Sequence, residues 1–327
     1  MKSITAIYRQ FGTPAQVVEA ETLDVPAPQK GQVLVKFLRA VINPSDLGMI
    51  GGSYGTLKTL PAVAGREGVG EVVEIGEGVE NVKVGARVRL SQEAGAWQQY
   101  QIADAQTLTI VPSDLDLDMA AMAFVNPPTA LCIVDMFADL KAGDCLIQNG
   151  ANSALGIFVI QICKARGIKT VNMVRNAAQK RAMLESFGAD IVVDEAEFDA
   201  KQIKAQTEGR LKIGLNQIGG ESVSNMIKAM GKSATVITVG AMVSTPVRFP
   251  TRFLIFDDLR LRGFWWDNWR RTHTKAEVDA VFAKVFALIA DGTLKAPVDS
   301  RFKLADISKA LERASQNSRN GKVMLEF

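Results

Sequence analysis

From Asp144 onward the sequence alternates between two hydrophobic periods, and that alternation restricts the folds open to the chain. Asp144-Cys145-Leu146-Ile147-Gln148 is a short apolar run, the form taken by a strand buried on both faces. Asn149-Gly150-Ala151-Asn152-Ser153-Ala154-Leu155-Gly156 is a loop of small residues with glycine at 150 and 156. An apolar helix with Ile157, Val159, Ile160 and Ile162 follows, and Gly167 suits a left-handed helix end. The pattern repeats. Strands are expected at Cys145–Gln148, Thr170–Val174, Ile191–Val193, Lys212–Asn216, Thr235–Val239 and Leu259–Leu261, with helices near 155–166, 177–187, 199–207 and 221–230. Gly188 closes the second helix as Gly167 closes the first. The expectation is an α/β fold with a doubly wound parallel sheet.

A strand that feeds a tight turn and then a helix N-terminus makes an anion site, because free backbone N–H groups and the helix dipole both face the turn. Small residues let a pyrophosphate approach the backbone. The full G-x-G-x-x-G pattern is absent, and the spacing runs from Gly150 to Gly156 with Ser153 between. On its own the loop fits a nucleotide site and an ordinary connection equally. Arg175 and Asn176 follow the second strand directly, where an acidic side chain would bond a ribose 2′-hydroxyl and an arginine would accommodate a 2′-phosphate. With no carboxylate there, the electrostatics favour NADPH over NADH, against the alternative of a solvated arginine at a strand end.

Before this region the chain is rich in short β runs. Val33-Leu34-Val35-Lys36-Phe37-Leu38, Gly68 to Gly76, Gly85 to Leu90 and Gln98 to Ile102 read as strands of a barrel-like domain, interrupted by a short helix that can begin at Asn43-Pro44-Ser45-Asp46. Leu115 to Val125 and Thr129 to Ala138 read as helical. Past Gly263, Ala276 to Asp291 is a strongly amphipathic helix, Leu304 to Ala314 another, and Val323 to Phe327 a strand. This last segment is too small to fold alone and is expected to pack back on the first domain.

Composition removes several classes of function. Net charge is +3 with both signs interspersed, which leaves no footprint for nucleic acid or a membrane surface. No apolar run is long enough to span a bilayer, and no targeting segment is recognised at the N-terminus. Cys132, Cys145 and Cys163 lie in apolar contexts and read as buried small hydrophobes in a reducing compartment, so a cytoplasmic location is expected. No two cysteines have ligand spacing, and the only histidine, His273, reads as a solvated surface residue; the chain is expected to be metal-free. There is no G-x-S-x-G and no Cys/His pairing, which leaves chemistry done by a cofactor with the protein supplying orientation and one donor.

Tyr54, in Gly51-Gly52-Ser53-Tyr54-Gly55, is a candidate for that donor, because a phenol held between glycines can give a hydrogen bond or a proton to a carbonyl oxygen. Read from the residues alone, a packed turn tyrosine fits better. Trp265, Trp266 and Trp269 form a cluster of the kind more often found in a core or interface than as a substrate wall. Thr129 could cap a helix that Pro127 and Pro128 stiffen, and the residues alone give Asn126 no role.

Over essentially its full length the chain resembles the zinc-independent medium-chain dehydrogenase/reductases, a quinone oxidoreductase-like superfamily, and among them most the trans-2-enoyl thioester reductases of the mitochondrial fatty-acid-synthesis type. The matching stretches include Asn43-Pro44-Ser45-Asp46, Gly51 to Gly55, Leu60-Pro61-Ala62-Val63, Glu67-Gly68-Val69, Val125-Asn126-Pro127, Gln148 to Ser153, Val174-Arg175, Leu215-Asn216, Ile218-Gly219-Gly220 and, most specific, Phe256 to Trp265. The resemblance implies a Rossmann dinucleotide-binding domain at 119–264 and a β-rich GroES-like catalytic domain at 1–118 and 265–327. It implies an NADPH-dependent oxidoreductase that reduces the 2,3 double bond of an enoyl thioester, on coenzyme A or acyl carrier protein, by hydride transfer to the β carbon. Tyr54 matches the proton donor, and Trp265 joins it among the catalytic residues. Cofactor contacts carry over to Asn126, Asn152, Ser153, Ala154, Leu155, Arg175, Asn176, Gly240, Ala241, Met242, Phe264, Trp265 and Lys322, and a homodimer through the sheet edge near Leu259–Gly263 is implied.

The chain departs from the family at two places and from its zinc-dependent relatives at a third. Ala154 stands where the family loop usually has glycine, and Ala177 where a second basic residue often follows Arg175, so the grip on a 2′-phosphate is either weaker or helped by Lys180 or Arg181. Arg66 stands where zinc-dependent relatives carry a ligand histidine. Two other readings are weighed beside the reductase: an NADPH:quinone or general enone reductase, and a non-catalytic NADPH-binding sensor. Basic residues such as Arg252, Arg270 and Arg271 fit solvated surface charge better than a docking site for an acidic carrier.

Overall fold

The computed structural model describes every residue except Ser91, Ala138, Asp139, Ser244 and Ser318. The chain divides into two compact units, Met1–Val125 with Lys295–Phe327, and Asn126–Leu294.

The second unit carries the expected parallel sheet. Its six strands lie in the order Ile191–Asp194, Lys169–Val174, Cys145–Asn149, Leu211–Asn216, Thr235–Thr238 and Arg260–Gly263, all pairs parallel. Cys145–Asn149 is buried at every position, as a strand covered by helices on both faces must be. Cys145, Ile147, Val171 and Met173 pack with Met226 and Ile227 in one core; Val174 and Val192 pack with Ile157, Ile160 and Leu184 in another. The intervening helices are Ala154–Ala165, Ala177–Ser186, Ala200–Gln206 and Gly220–Ala229, within about two residues of the sequence expectation. Gly167 and Gly188 follow the first two at φ +67° and +100°, a region that costs a side-chain-bearing residue strain.

In the first unit, the long strand Gln32–Ile42 organises the β structure. It pairs antiparallel with Gly68–Ile75, Tyr100–Asp104 and Lys322–Glu326, and Val298–Lys303 lies parallel beside Lys322–Glu326. A smaller sheet joins Lys2–Tyr8 to Val18–Asp24 and Ala62–Val63. Val35, Phe37, Trp97, Leu311 and Leu325 belong to the core of this first unit.

The boundaries differ from those expected. The helix Leu117–Met122 belongs to the first unit, where it packs on the strands Gln32–Ile42 and Gly68–Ile75, and Asp118 pairs with Arg39 at 2.9 Å. Residues 265–294, expected with the β-rich domain, belong to the second unit. Here the helix Lys275–Ala290 packs on Asn126–Cys132, and Trp266 meets Phe282 edge-on at 5.8 Å. Its apolar stripe is therefore already covered, and only 295–327 returns to the first unit. The helix expected at Thr129 to Ala138 runs over Asn126–Cys132 and continues as a π-turn, Ile133–Phe137; Ala138 lies outside the described residues.

Candidate active site

In the second unit, the C-terminal ends of the parallel strands bring together most of the residues singled out from the sequence. Ser153 caps the helix Ala154–Ala165, its Oγ accepting from Gly156 N at 2.9 Å. Ala154 and Leu155 supply the open backbone N–H groups of the first helical turn. A Cβ on Gly156 would come within 2.4 Å of the Ala151 carbonyl oxygen, so only glycine lets the helix start this close to the loop. Arg175 and Asn176, both exposed, end the next strand, and Asn176 takes the left-handed conformation at φ 57°. Burial holds Lys180 below the usual lysine range, and the neighbouring charge of Arg175 pushes the same way. Arg181 is committed elsewhere: it donates to the Val192 carbonyl at 2.8 Å and faces Glu185 at 3.8 Å. Of the two candidate helpers, Lys180 is the one beside Arg175. Gly240, Ala241 and Met242 follow the strand Thr235–Thr238, and Met242 is exposed. Phe264 and Trp265 follow the last strand; Phe264 is buried, and the Arg271 guanidinium lies 4.8 Å over the half-buried Trp265 ring. Asn126 is half-buried at the start of its helix.

Beneath these ends runs a buried ladder of amides that the sequence reading missed. Gln148 donates to Asn172 Oδ1 at 2.9 Å and to the Gly156 carbonyl at 3.0 Å. Asn149 donates to Asn216 Oδ1 at 3.1 Å and accepts from the backbone N–H of Gln217 at 2.7 Å and of Ile218 at 3.3 Å. Gln217 returns a bond to the Asn149 carbonyl at 3.1 Å and accepts from Ser153 Oγ at 2.7 Å. Asn216 donates to Thr238 Oγ1 at 3.2 Å. Amides suit this place because each offers both donors and acceptors without charge. The signal in the sequence is a polar residue where each strand should be wholly apolar.

In the first unit, Tyr54 is half-buried, and the Arg66 guanidinium sits 4.8 Å from its ring centre. Arg66 is 8% exposed. It lines a small crevice with Tyr8, Asp46 and Lys58. Burial pushes the Asp46 carboxyl up to about 6, against the bond from Asn43 N and the charges of Arg66, Lys322 and Lys58. Burial brings Lys58 down to about 8, opposed chiefly by Asp46; Lys58 donates to the Val63 carbonyl at 2.9 Å. Burial also pushes the Glu67 carboxyl up to about 7 and Lys322 down to about 8, each partly offset by the other's charge. Lys322, a cofactor candidate from the sequence, is thus a buried group of the first unit, and its Nζ donates to Asn43 Oδ1.

His273, expected to be solvated, is half-buried, stacked on Trp269 at 3.9 Å, and its Nδ1 lies 2.8 Å from the Trp269 carbonyl oxygen. The three cysteines are buried, as expected. Among the described residues no group of three or more His, Cys, Asp or Glu could hold a metal ion, and no helix is long and apolar enough to cross a membrane.

Residues 29–113 match the family described as alcohol dehydrogenase GroES-like domain, and residues 154–283 the one described as zinc-binding dehydrogenase. The mitochondrial enoyl-acyl-carrier-protein reductase of Bos taurus is 38% identical over 316 residues, which span 95% of this chain and 85% of that protein. The chain belongs to the mitochondrial enoyl-acyl-carrier-protein reductase family. The Homo sapiens relative is 38% identical over 312 residues, 94% of this chain and 84% of its own length. These family members are named as mitochondrial proteins, which overturns the cytoplasmic location expected above. Among solved structures, the mitochondrial 2-enoyl thioester reductase heterodimer of Candida tropicalis matches with a TM-score of 0.88 at 25% identity, covering 100% of both chains. A complex of one of its subunits with NADP and crotonyl-CoA shares the fold, with a TM-score of 0.90, 24% identity and 100% coverage of both chains. A putative NADPH:quinone reductase of Mesorhizobium loti matches with a TM-score of 0.86 at 26% identity, covering 100% of this chain and 98% of that one.

Proposed function

We propose that this family member reduces the 2,3 double bond of trans-2-enoyl thioesters with NADPH. The observation that carries the reading is the set of groups at the strand ends of the second unit. A helix N-terminus with open N–H groups at Ala154 and Leu155 suits a pyrophosphate. Arg175 and Lys180, with no carboxylate at Arg175 or Asn176, suit a 2′-phosphate. Asn126, Asn152, Ser153, Asn176, Gly240 to Met242, Phe264 and Trp265 are the remaining residues we assign to the cofactor; Lys322, buried with its Nζ on Asn43, we assign to the support of the first unit instead. When bound, NADPH supplies the hydride that goes to the β carbon.

The chain's own part is polarisation and proton delivery. Tyr54 gives its hydroxyl hydrogen bond to the thioester oxygen, where negative charge develops, and serves as the proton donor for the α carbon. The Arg66 guanidinium over the ring limits the orientations open to the phenol. Trp265 offers an aromatic face to the reactants. Arg66, permanently charged and almost fully buried, suits metal-free chemistry at that position. A second copy of the chain is the partner we propose for the sheet edge. Among the described residues, Arg260–Gly263 has a paired strand on one side only, and Ile255, Phe256 and Leu261 are exposed at 70%, 72% and 50%.

The test is NADPH oxidation across crotonyl to long-chain enoyl-CoA, with a quinone as control. Turnover of the enoyl thioesters supports the reading. Turnover of the quinone alone transfers the chain to the second reading, which the likeness to the putative quinone reductase favours. NADPH binding without turnover of either would point to the sensor.

A further inference from the structure

Glu67 is 1% exposed, and both of its oxygens are taken. Oε1 accepts the backbone N–H groups of Phe124 and Val125, each at 2.8 Å. Oε2 accepts from the Asn43 side-chain amide at 2.7 Å. Asn43 Oδ1 accepts in turn from Lys322 Nζ. The chain of bonds has a direction: ammonium, amide oxygen, amide N–H, carboxylate, peptide N–H. Neither end can reverse, because an ammonium and a peptide N–H only donate. The carboxylate must therefore face the peptides, and Asn43 must turn its N–H₂ toward it.

The place where this chain of bonds ends is what gives it a consequence. The helix Leu117–Met122 is finished by this point, and the bond from Ala123 N to the Ala120 carbonyl is long at 3.5 Å. Phe124 and Val125 are the last residues of the first unit before Asn126. A carboxylate that accepts two successive peptide N–H groups fixes both peptide planes. We infer that Glu67 is a positioning residue for the reductase: through Phe124 and Val125 it sets the backbone from which Asn126 meets NADPH, with Asn43 and Lys322 holding it from behind. The inference rests on the cofactor reading above.

Glu67→Gln tests it with little change of shape. The introduced amide N–H₂ faces the N–H₂ of Asn43; if Asn43 turns over, its N–H₂ faces Lys322 instead. Either way two donors meet. Combining Glu67→Gln with Asn43→Asp restores the donor–acceptor pairs named above and the net charge by moving the carboxylate one step toward Lys322. NADPH affinity by titration calorimetry, KM and kcat are measured for wild type, single and double variants, with near-ultraviolet circular dichroism to follow folding. Glu67→Gln is expected to weaken NADPH binding and raise its KM about tenfold by loosening the backbone before Asn126, with kcat at saturating NADPH within about threefold. The double variant is expected to return to within about threefold of wild type. A single variant that binds NADPH as wild type does, or a double variant that stays weak whether or not the single one folds, overturns the inference. Wild type that binds no NADPH fails the cofactor reading instead, and is separated from the other outcomes by the first titration.

Discussion

Each unit hides a polar cluster, but the two are made of different chemistry. The second unit buries Gln148, Asn149, Asn172, Asn216 and Gln217, all neutral. The first buries Asp46, Glu67 and Lys322, with Lys58 half-buried beside them. Neutral amides carry no ionic desolvation cost, and their hydrogen bonds do not change with pH. Buried charges carry a large cost that displaces their titration: burial pushes Asp46 up to about 6 and pushes Glu67 upward against the charge of Lys322. The contrast teaches that the frame under the ends of the parallel strands is built to be constant, while the surroundings of Tyr54 answer to protons.

The contrast predicts where each kind of substitution acts. Tyr54→Phe should lower kcat for enoyl-CoA reduction about 10²–10³-fold, the usual worth of one donor at a developing oxyanion, while NADPH affinity stays within about threefold. Steady-state kinetics beside a cofactor titration checks this, and unchanged turnover dismisses the donor role.

Asp46→Asn probes the charged cluster through stability. The native pKa of Asp46 lies above its ordinary 3.8, at about 6. The folded state therefore holds this proton more tightly than the unfolded state. Its stabilising effect is complete below pH ~4 and is lost as pH rises through 6. Relative to wild type, Asp46→Asn should match at pH 4 and gain up to about 3 kcal/mol at pH 7.5. Urea denaturation across that window measures it, and a constant difference refutes the assignment.

Asn149→Leu probes the neutral ladder. It strips acceptors from Gln217 N and Ile218 N, and should cost about 2 kcal/mol. The loss should be the same from pH 5 to 9, because no ladder member ionises. A loss that varies with pH would erase the distinction between the clusters.

Arg175→Ala touches only the rim. It should raise KM for NADPH about tenfold and leave KM for NADH nearly unchanged, since one exposed arginine–phosphate contact is worth roughly 1.4 kcal/mol. Equal effects on the two nucleotides would remove Arg175 from the phosphate site.

The second unit was the more legible in the sequence, and the reason is physical. Strands buried on both faces read as continuous apolar runs, and the glycines at 167 and 188 mark helix ends whose φ values demand them. The charged cluster was not legible. Glu67 finds Asn43 from 24 residues away, and Lys322 finds Asn43 from 279 residues away, so no local spacing announces them. The amide ladder was visible only as polar interruptions, such as Asn172 within Lys169–Val174, which lack meaning until neighbouring strands are placed. The apolar stripe of Lys275–Ala290 declared a buried helix without saying what covers it, and that ambiguity misplaced residues 265–294. For Tyr54 the residues alone favour a packed turn, and Arg66, whose guanidinium lies 4.8 Å from its ring centre, stands out in the sequence only as a missing zinc ligand.

The pairing of Lys322–Glu326 with Arg39–Ile42 has a consequence during synthesis. Everything from Asn126 to Leu294 leaves the ribosome while the long strand Gln32–Ile42 still lacks its C-terminal neighbour. The part of the protein begun first is therefore finished last. Arrested nascent chains released at about residue 294 should show the Asn126–Leu294 unit protease-resistant and the earlier residues still open to cleavage.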